Sequence, residues 1–94
     1  MRFAGPAGFA RNVCVAIGNW LAGEAEPPRE AVRVLVEALS DPAPLVRGHA
    51  AWALGLVSSA AARSALERRA SVEEDRWVGA EITSALGGSR PTRK

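Results

Sequence analysis

Five arginines lie on two predicted helices at spacings that suit phosphate binding. Arg29 and Arg33 are four residues apart on the second predicted helix, so they share one side of it. The fourth predicted helix carries the others, which are Arg63, Arg68 and Arg69. Guanidinium groups bind phosphate oxygens bidentately, and their binding to a nucleic acid releases counterions. The same spacing also fits a solvated helix face, where Glu67 pairs with Arg63 for a few tenths of a kcal/mol.

Arg47 opens the third predicted helix and has two alternative roles. It can reach a phosphate, or it can pair with an acidic residue of the next repeat. Glu73, Glu74 and Asp75 occupy the matching turn one repeat later. The second role is favoured, so we expect Arg47 to form a contact between repeats.

His49, Trp52 and Leu56 form one face of the same helix, opposite its main apolar stripe. A helix that is apolar on two sides packs on two neighbours. We therefore expect these three residues to form an interaction face, against adjacent helices or a partner. For Trp20 and Trp77, packing between helices is favoured over stacking on unpaired bases.

The sequence has few residues suited to catalysis or metal binding: one cysteine (Cys14), one histidine (His49) and one lysine (Lys94). One cysteine cannot hold an iron–sulfur cluster alone, and one cysteine with one histidine is too few for a zinc site. We expect no catalytic residue, no bound metal and no cofactor in this chain. We therefore expect that the protein is not an enzyme. Cys14 lies in an apolar run and is predicted to be buried.

Composition indicates a single small all-α domain. Nineteen of the 94 residues are alanine, the best helix former. No apolar run is long enough for a membrane span, and we expect a cytoplasmic protein. The formal net charge of +2 is weak evidence for nucleic-acid binding, because Arg90, Arg93 and Lys94 supply three of the twelve positive charges.

Helix-ending residues divide the chain into five predicted helices: 7–22, 28–40, 42–57, 60–71 and 73–86. Pro28 is placed in the first turn of the second helix and Asp41 at the cap of the third. Ser71 and Glu74 have the spacing of a capping box for the fifth. Residues 1–6 are assigned to an extension, and 88–94 to a disordered basic tail.

The odd-numbered helices repeat one another. Each has an apolar stripe that ends in glycine, and Gly55 follows Gly18 by 37 residues while Gly87 follows Gly55 by 32. The aligned stripes are Phe9, Val13, Ala16 and Ile17; Val46, Ala50, Ala53 and Leu54; and Val78, Ile82, Ala85 and Leu86. The second and fourth helices match each other at an offset of 31, through Ala31, Val34, Leu35 and Leu39 over Ala62, Ala65, Leu66 and Ala70. A helix pair repeating at this interval predicts a short right-handed α-solenoid.

Glycines inside these helices predict close helix contacts. Gly18, Gly48, Gly55 and Gly79 each cost a helix about 1 kcal/mol relative to alanine. We expect all four to lie where a neighbouring helix needs the space.

The pattern Val46-Arg47, Ala50, Ala53-Leu54-Gly55 after Asp41-Pro42 resembles a HEAT-like repeat. A longer similarity runs from about residue 8 to 87. Its most specific stretch, Arg47 to Gly55 (Arg-Gly-His-Ala-Ala-Trp-Ala-Leu-Gly), is similar to the C-terminal helical-repeat region of epoxyqueuosine reductases. That family uses a cobalamin and two 4Fe–4S clusters in the last step of queuosine formation in tRNA, through regions that have no counterpart here.

The resemblance implies a non-catalytic repeat module that helps dock a tRNA. Because the substrate of that family is a tRNA, the resemblance raises the weight of the five arginines. They lie on the second helices of their pairs, which usually line the concave surface of a solenoid. The alternative is a protein-interaction module that packs on a partner or a separate catalytic domain through the His49 and Trp52 face. We expect a monomer or weak self-association through exposed apolar end helices.

Overall fold

The chain forms five α-helices and no strand within residues 7–57 and 59–87, which are the residues that the computed structural model describes. The helices are α1 (Ala7–Leu21), α2 (Arg29–Ala38), α3 (Pro44–Gly55), α4 (Ala60–Ala70) and α5 (Arg76–Ala85). The all-α prediction is confirmed. The predicted extension at 1–6 and tail at 88–94 lie outside the described residues.

The starts of α2 and α3, and that of α5 described below, differ from the predicted helix starts. Pro28 is the N-cap of α2 rather than part of its first turn. The N-cap of α3 is Ala43, with Pro44 in the first turn. Asp41 instead accepts a hydrogen bond from the Ala43 amide (2.9 Å), which shapes the turn just before the helix.

The predicted capping box of the fifth helix is wrong. The Ser71 hydroxyl donates to the Arg68 carbonyl (2.8 Å), so it closes α4 instead of opening α5. Asp75 is the N-cap, and its carboxylate accepts from the Val78 amide (3.0 Å). A cap of this kind contributes about 1 kcal/mol and moves the helix start to Arg76.

The helices form two layers. α3 lies between α1 and α5 and packs extensively on both, while α2 and α4 form a second layer against α3 and α5 and touch each other. The core between the layers is aliphatic, and its largest buried side chains are Leu21, Leu35, Leu54, Leu66 and Ile82. This arrangement is an all-α helical-repeat solenoid.

Gly18 and Gly55 lie at close contacts between helices, as predicted. A methyl group at Gly18 would lie 2.9 Å from Ala53 Cβ, and one at Gly55 would lie 2.9 Å from Ala85 Cβ. Gly48 also meets a neighbour, since the Trp77 ring lies directly over it. The prediction is wrong for Gly79, where a methyl group would have no neighbour within 4 Å.

The predicted buried stripe of the first helix is wrong in part, although Ile17 does pack against the core. Phe9 and Trp20 are 58% and 52% exposed, and Ala16 is exposed. The buried residues of α1 are Ala10, Cys14, Gly18 and Leu21. The reason is positional: α1 has α3 on one side, and no described helix covers its other side. Ala70, predicted to face inward, is likewise exposed at the end of α4.

None of the described helices is both long and apolar enough to cross a bilayer.

Candidate functional site

A groove lies between α2 and α4, with a volume of about 670 Å³. Its lining is mostly apolar and includes Pro27, Val32, Val36 and Ala61. Three of the five candidate arginines also line it: Arg29, Arg33 and Arg68. Both helices contribute arginines to the groove, because α2 and α4 lie side by side in the second layer. We refer to this surface as the α2/α4 groove.

The arginines of the groove differ in whether they already have acidic partners. Arg33 donates to Glu30 (Nη2 to Oε2, 2.6 Å) and also lies 3.8 Å from Glu37. The hydrogen bond from Arg33 lowers the pKa of Glu30. Among the described residues, neither Arg29 nor Arg68 forms an ion pair. These two exposed guanidinium groups are therefore available to a ligand.

Arg63 does not line the groove. Its Nε lies 3.3 Å from Glu67 Oε2, and its Nη1 donates to the Leu86 carbonyl at 3.4 Å. The pair with Glu67 is the one expected of a solvated helix face. Both side chains are more than half exposed, so the pair contributes little to stability.

Arg69 does not line the α2/α4 groove and belongs to a cluster around Glu73. Arg47 binds the Glu73 carboxylate bidentately, with both contacts at 2.9 Å, and Arg69 Nε donates to Glu73 Oε1, also at 2.9 Å. Arg47 also donates to the carbonyls of Asp41 (2.9 Å) and Pro42 (3.0 Å). Arg47 thus joins the turn before α3 to the turn before α5, a contact between repeats. Arg69 is already paired with Glu73 through its Nε.

Glu73 is the centre of this cluster, with a side chain only 1% exposed. Burial alone would raise the pKa of Glu73. The hydrogen bonds from Arg47, from the Asp75 amide and from Arg69 outweigh burial and lower that pKa to about 2. From sequence, Glu73 was one of three candidate partners for Arg47. The spacing of Arg69 and Glu73, four residues apart, is the signal that singles it out.

The candidate face on α3 is only partly assembled. His49 and Trp52 line a second cavity of about 300 Å³ together with Trp77 of α5, whereas Leu56 does not. The His49 ring nitrogen Nδ1 lies 2.9 Å from the Leu45 carbonyl, and the His49 and Trp77 ring centroids are 5.5 Å apart. Trp52 packs over Gly18. Most of this face is therefore occupied by contacts between neighbouring helices.

The described residues contain no group of three His, Cys, Asp or Glu side chains that could hold a metal ion. Cys14 is fully buried. Burial, with a smaller contribution from the charge of Asp41, raises the pKa of its thiol to about 11. The candidate site is the α2/α4 groove, which is mostly apolar by area and is also lined by Glu26 and by the unpaired Arg29 and Arg68.

Comparison with known proteins gives one match. A family model described as HEAT repeats matches residues 7–87, which include all five helices. No curated protein and no solved structure matches the chain. None of these comparisons connects the chain with the epoxyqueuosine reductases.

Proposed function

Because the chain belongs to the HEAT repeat family, we propose that it is a non-catalytic protein-interaction module that binds its partner in the α2/α4 groove. The partner segment carries apolar side chains together with an acidic one. The observation behind this proposal is the combination, in one groove, of an apolar lining with the unpaired Arg29 and Arg68. Solenoid repeats present extended surfaces of this kind to their partners.

The apolar part of the groove favours a protein over a nucleic acid. Pro27, Val36 and Ala61 offer apolar surface, and a phosphate backbone has no apolar group to cover it. An aliphatic or aromatic side chain buried there gains about 25 cal/mol per Å² of apolar surface removed from water. An acidic residue of the same segment can then accept charge-assisted hydrogen bonds from Arg29 or Arg68.

Docking of a tRNA, the function implied by the resemblance, is a second candidate that the arginines alone support. Of the five candidate arginines, Arg29 and Arg68 are the two without an ion pair among the described residues, so the groove offers about two phosphate contacts. Raising the salt from about 50 to about 200 mM then weakens binding by about tenfold, whereas five contacts would weaken it several-hundredfold. A surface with so few contacts holds RNA weakly, which is why we favour the protein partner.

A peptide selection tests the proposal. The purified chain is used to select peptides from a random displayed library, and the selected peptides are then tested against two variants by fluorescence polarisation. Arg68→Glu changes the groove. Arg63→Glu changes the same charge on the same helix outside it. We expect the selected peptides to combine acidic and apolar residues, and Arg68→Glu to weaken their binding at least tenfold while Arg63→Glu changes it less than threefold.

Two results contradict the proposal. Selected peptides that bind Arg68→Glu as tightly as the parent would place the site elsewhere. The other result is that no peptide is selected, while a tRNA anticodon stem–loop binds with steep salt dependence. If Arg68→Glu abolishes that RNA binding, tRNA docking is favoured.

A further inference from the structure

The outer face of α1 is apolar and has no described neighbour. We define it as Phe9, Val13, Ala16 and Trp20, which are exposed except for the half-buried Val13. Residues 12–23 include no charged side chain. An uncharged helix face with two half-exposed aromatic rings is typical of a docking surface rather than of a solvated one.

The repeat itself shows what such a face contacts. The positions 37 residues later are Val46, Ala50, Ala53 and Val57 on α3, and all four are at most 8% exposed. On α5, Val78 and Ile82 occupy the corresponding positions and are buried. In both cases helices of the preceding repeat cover them, since α1 and α2 pack on α3, and α3 and α4 pack on α5. The outer face of α1 therefore corresponds to the face that an odd-numbered helix presents to the preceding repeat.

The opposite face, which an odd-numbered helix presents to the following repeat, is free at α5. It consists of Ala80 and Thr83 on α5 and Gly87 just after it, which correspond to Gly48, Ala51 and Gly55 of α3. On α3 these positions contact α5: Gly48 lies under the Trp77 ring and Gly55 lies against Ala85. On α5 they are exposed, and a methyl group at Gly87 would have no neighbour within 4 Å.

Glycine and alanine meet at both internal interfaces in the same register. Gly18 faces Ala53 and Gly55 faces Ala85, and each alanine lies two residues before the glycine of its own helix. The alanine in that position on α1 is Ala16, and the next glycine in the series is Gly87. A third glycine–alanine contact would therefore need Ala16 and Gly87, which lie at opposite ends of the described fold.

We infer that a second copy of this chain docks the outer face of its α5 on the outer face of α1, so that copies associate head to tail and Gly87 of one copy lies against Ala16 of the next. This contact continues the α1–α3 and α3–α5 interfaces across two molecules. It uses different faces on the two copies, so it leaves one face of each kind free and permits chains longer than a dimer.

Sedimentation velocity of the full chain and two variants tests the inference. Ala16→Arg places a charge on the outer face of α1, and Ala80→Arg places one on the outer face of α5. Both replace exposed alanines within helices by another good helix former, so the fold is kept. Ala70→Arg is the matched control, at an exposed helix end outside both faces.

The parent and Ala70→Arg are expected to show an average mass that rises past the dimer between about 10 μM and 1 mM, the range of a weak contact. Each interface variant alone stays monomeric. An equimolar mixture of Ala16→Arg and Ala80→Arg forms a dimer and nothing larger, because one intact face of each kind remains. A monomeric parent at about 1 mM would overturn the inference. So would Ala80→Arg that dimerises alone, which would indicate a symmetric α1–α1 contact.

Discussion

Replacing Glu73 by glutamine removes the charge that holds three segments of the fold together. The turn before α3, the end of α4 and the turn before α5 all meet at this carboxylate through Arg47, Arg69 and the Asp75 amide. A glutamine keeps the size of the side chain but leaves two partly buried guanidinium groups without a counter-charge. We expect Glu73→Gln to lower the free energy of unfolding by about 2 to 3 kcal/mol near neutral pH.

The pH dependence gives an independent magnitude. The pKa of Glu73 falls from 4.5 to about 2 on folding, so the carboxylate stabilises the fold above about pH 4.5, and this stabilisation is lost as the pH falls towards 2. The full shift corresponds to about 3.4 kcal/mol near neutral pH. Less than half of it remains at about pH 3.

Urea unfolding followed by far-UV circular dichroism, at about pH 7 and about pH 3, measures both effects. The stability gap between the parent and Glu73→Gln should narrow at least twofold at the lower pH. Glu74→Gln, which changes an exposed neighbouring charge, should stay within about 0.5 kcal/mol of the parent at both. A Glu73→Gln variant as stable as the parent at neutral pH would refute the reasoning, and so would a gap that does not change with pH.

The packing, capping and burial of single residues yield three further predictions. Thermal melts of two glycine variants should move in opposite directions: Gly55→Ala lowers the Tm because its methyl group meets Ala85, whereas Gly79→Ala stabilises by about 0.5 to 1 kcal/mol because the space around it is open. Asp75→Ala should lower the free energy of unfolding by about 1 kcal/mol, and Ser71→Ala should lower it by less than half of that. A larger loss for Ser71→Ala than for Asp75→Ala would support the capping box predicted from the sequence. Cys14 should react with a thiol reagent only after urea unfolding, and rapid labelling of the native chain would contradict its burial.

Helix periodicity and repeat spacing were enough to predict the fold class. Apolar stripes ending in glycine at Gly18, Gly55 and Gly87 identify equivalent helices, and equivalent helices pack in equivalent ways. The same reasoning misplaced the first stripe, because periodicity tells which side of a helix is apolar and not whether a neighbour covers it. Phe9 and Trp20 belong to an apolar side that no described helix covers.

The candidate site was less predictable because it depends on which charges pair. Spacing alone does not separate Arg68, which faces the groove, from Arg69, which binds Glu73. The two are adjacent in sequence and also line one smaller cavity together, and they differ in that Arg69 is paired with Glu73. The apolar lining of the groove comes from two helices that are separated in sequence, so it emerges only when α2 and α4 are placed side by side.

The most direct test of the α2/α4 groove as the binding surface is an NMR titration of the isotope-labelled chain with a selected acidic and apolar peptide. We expect the largest amide shift changes on the groove, at Val32, Val36, Ser64 and Arg68, and no change in α1 or on the outer face of α5. Shift changes confined to α1 or to the His49 and Trp77 cavity would contradict it.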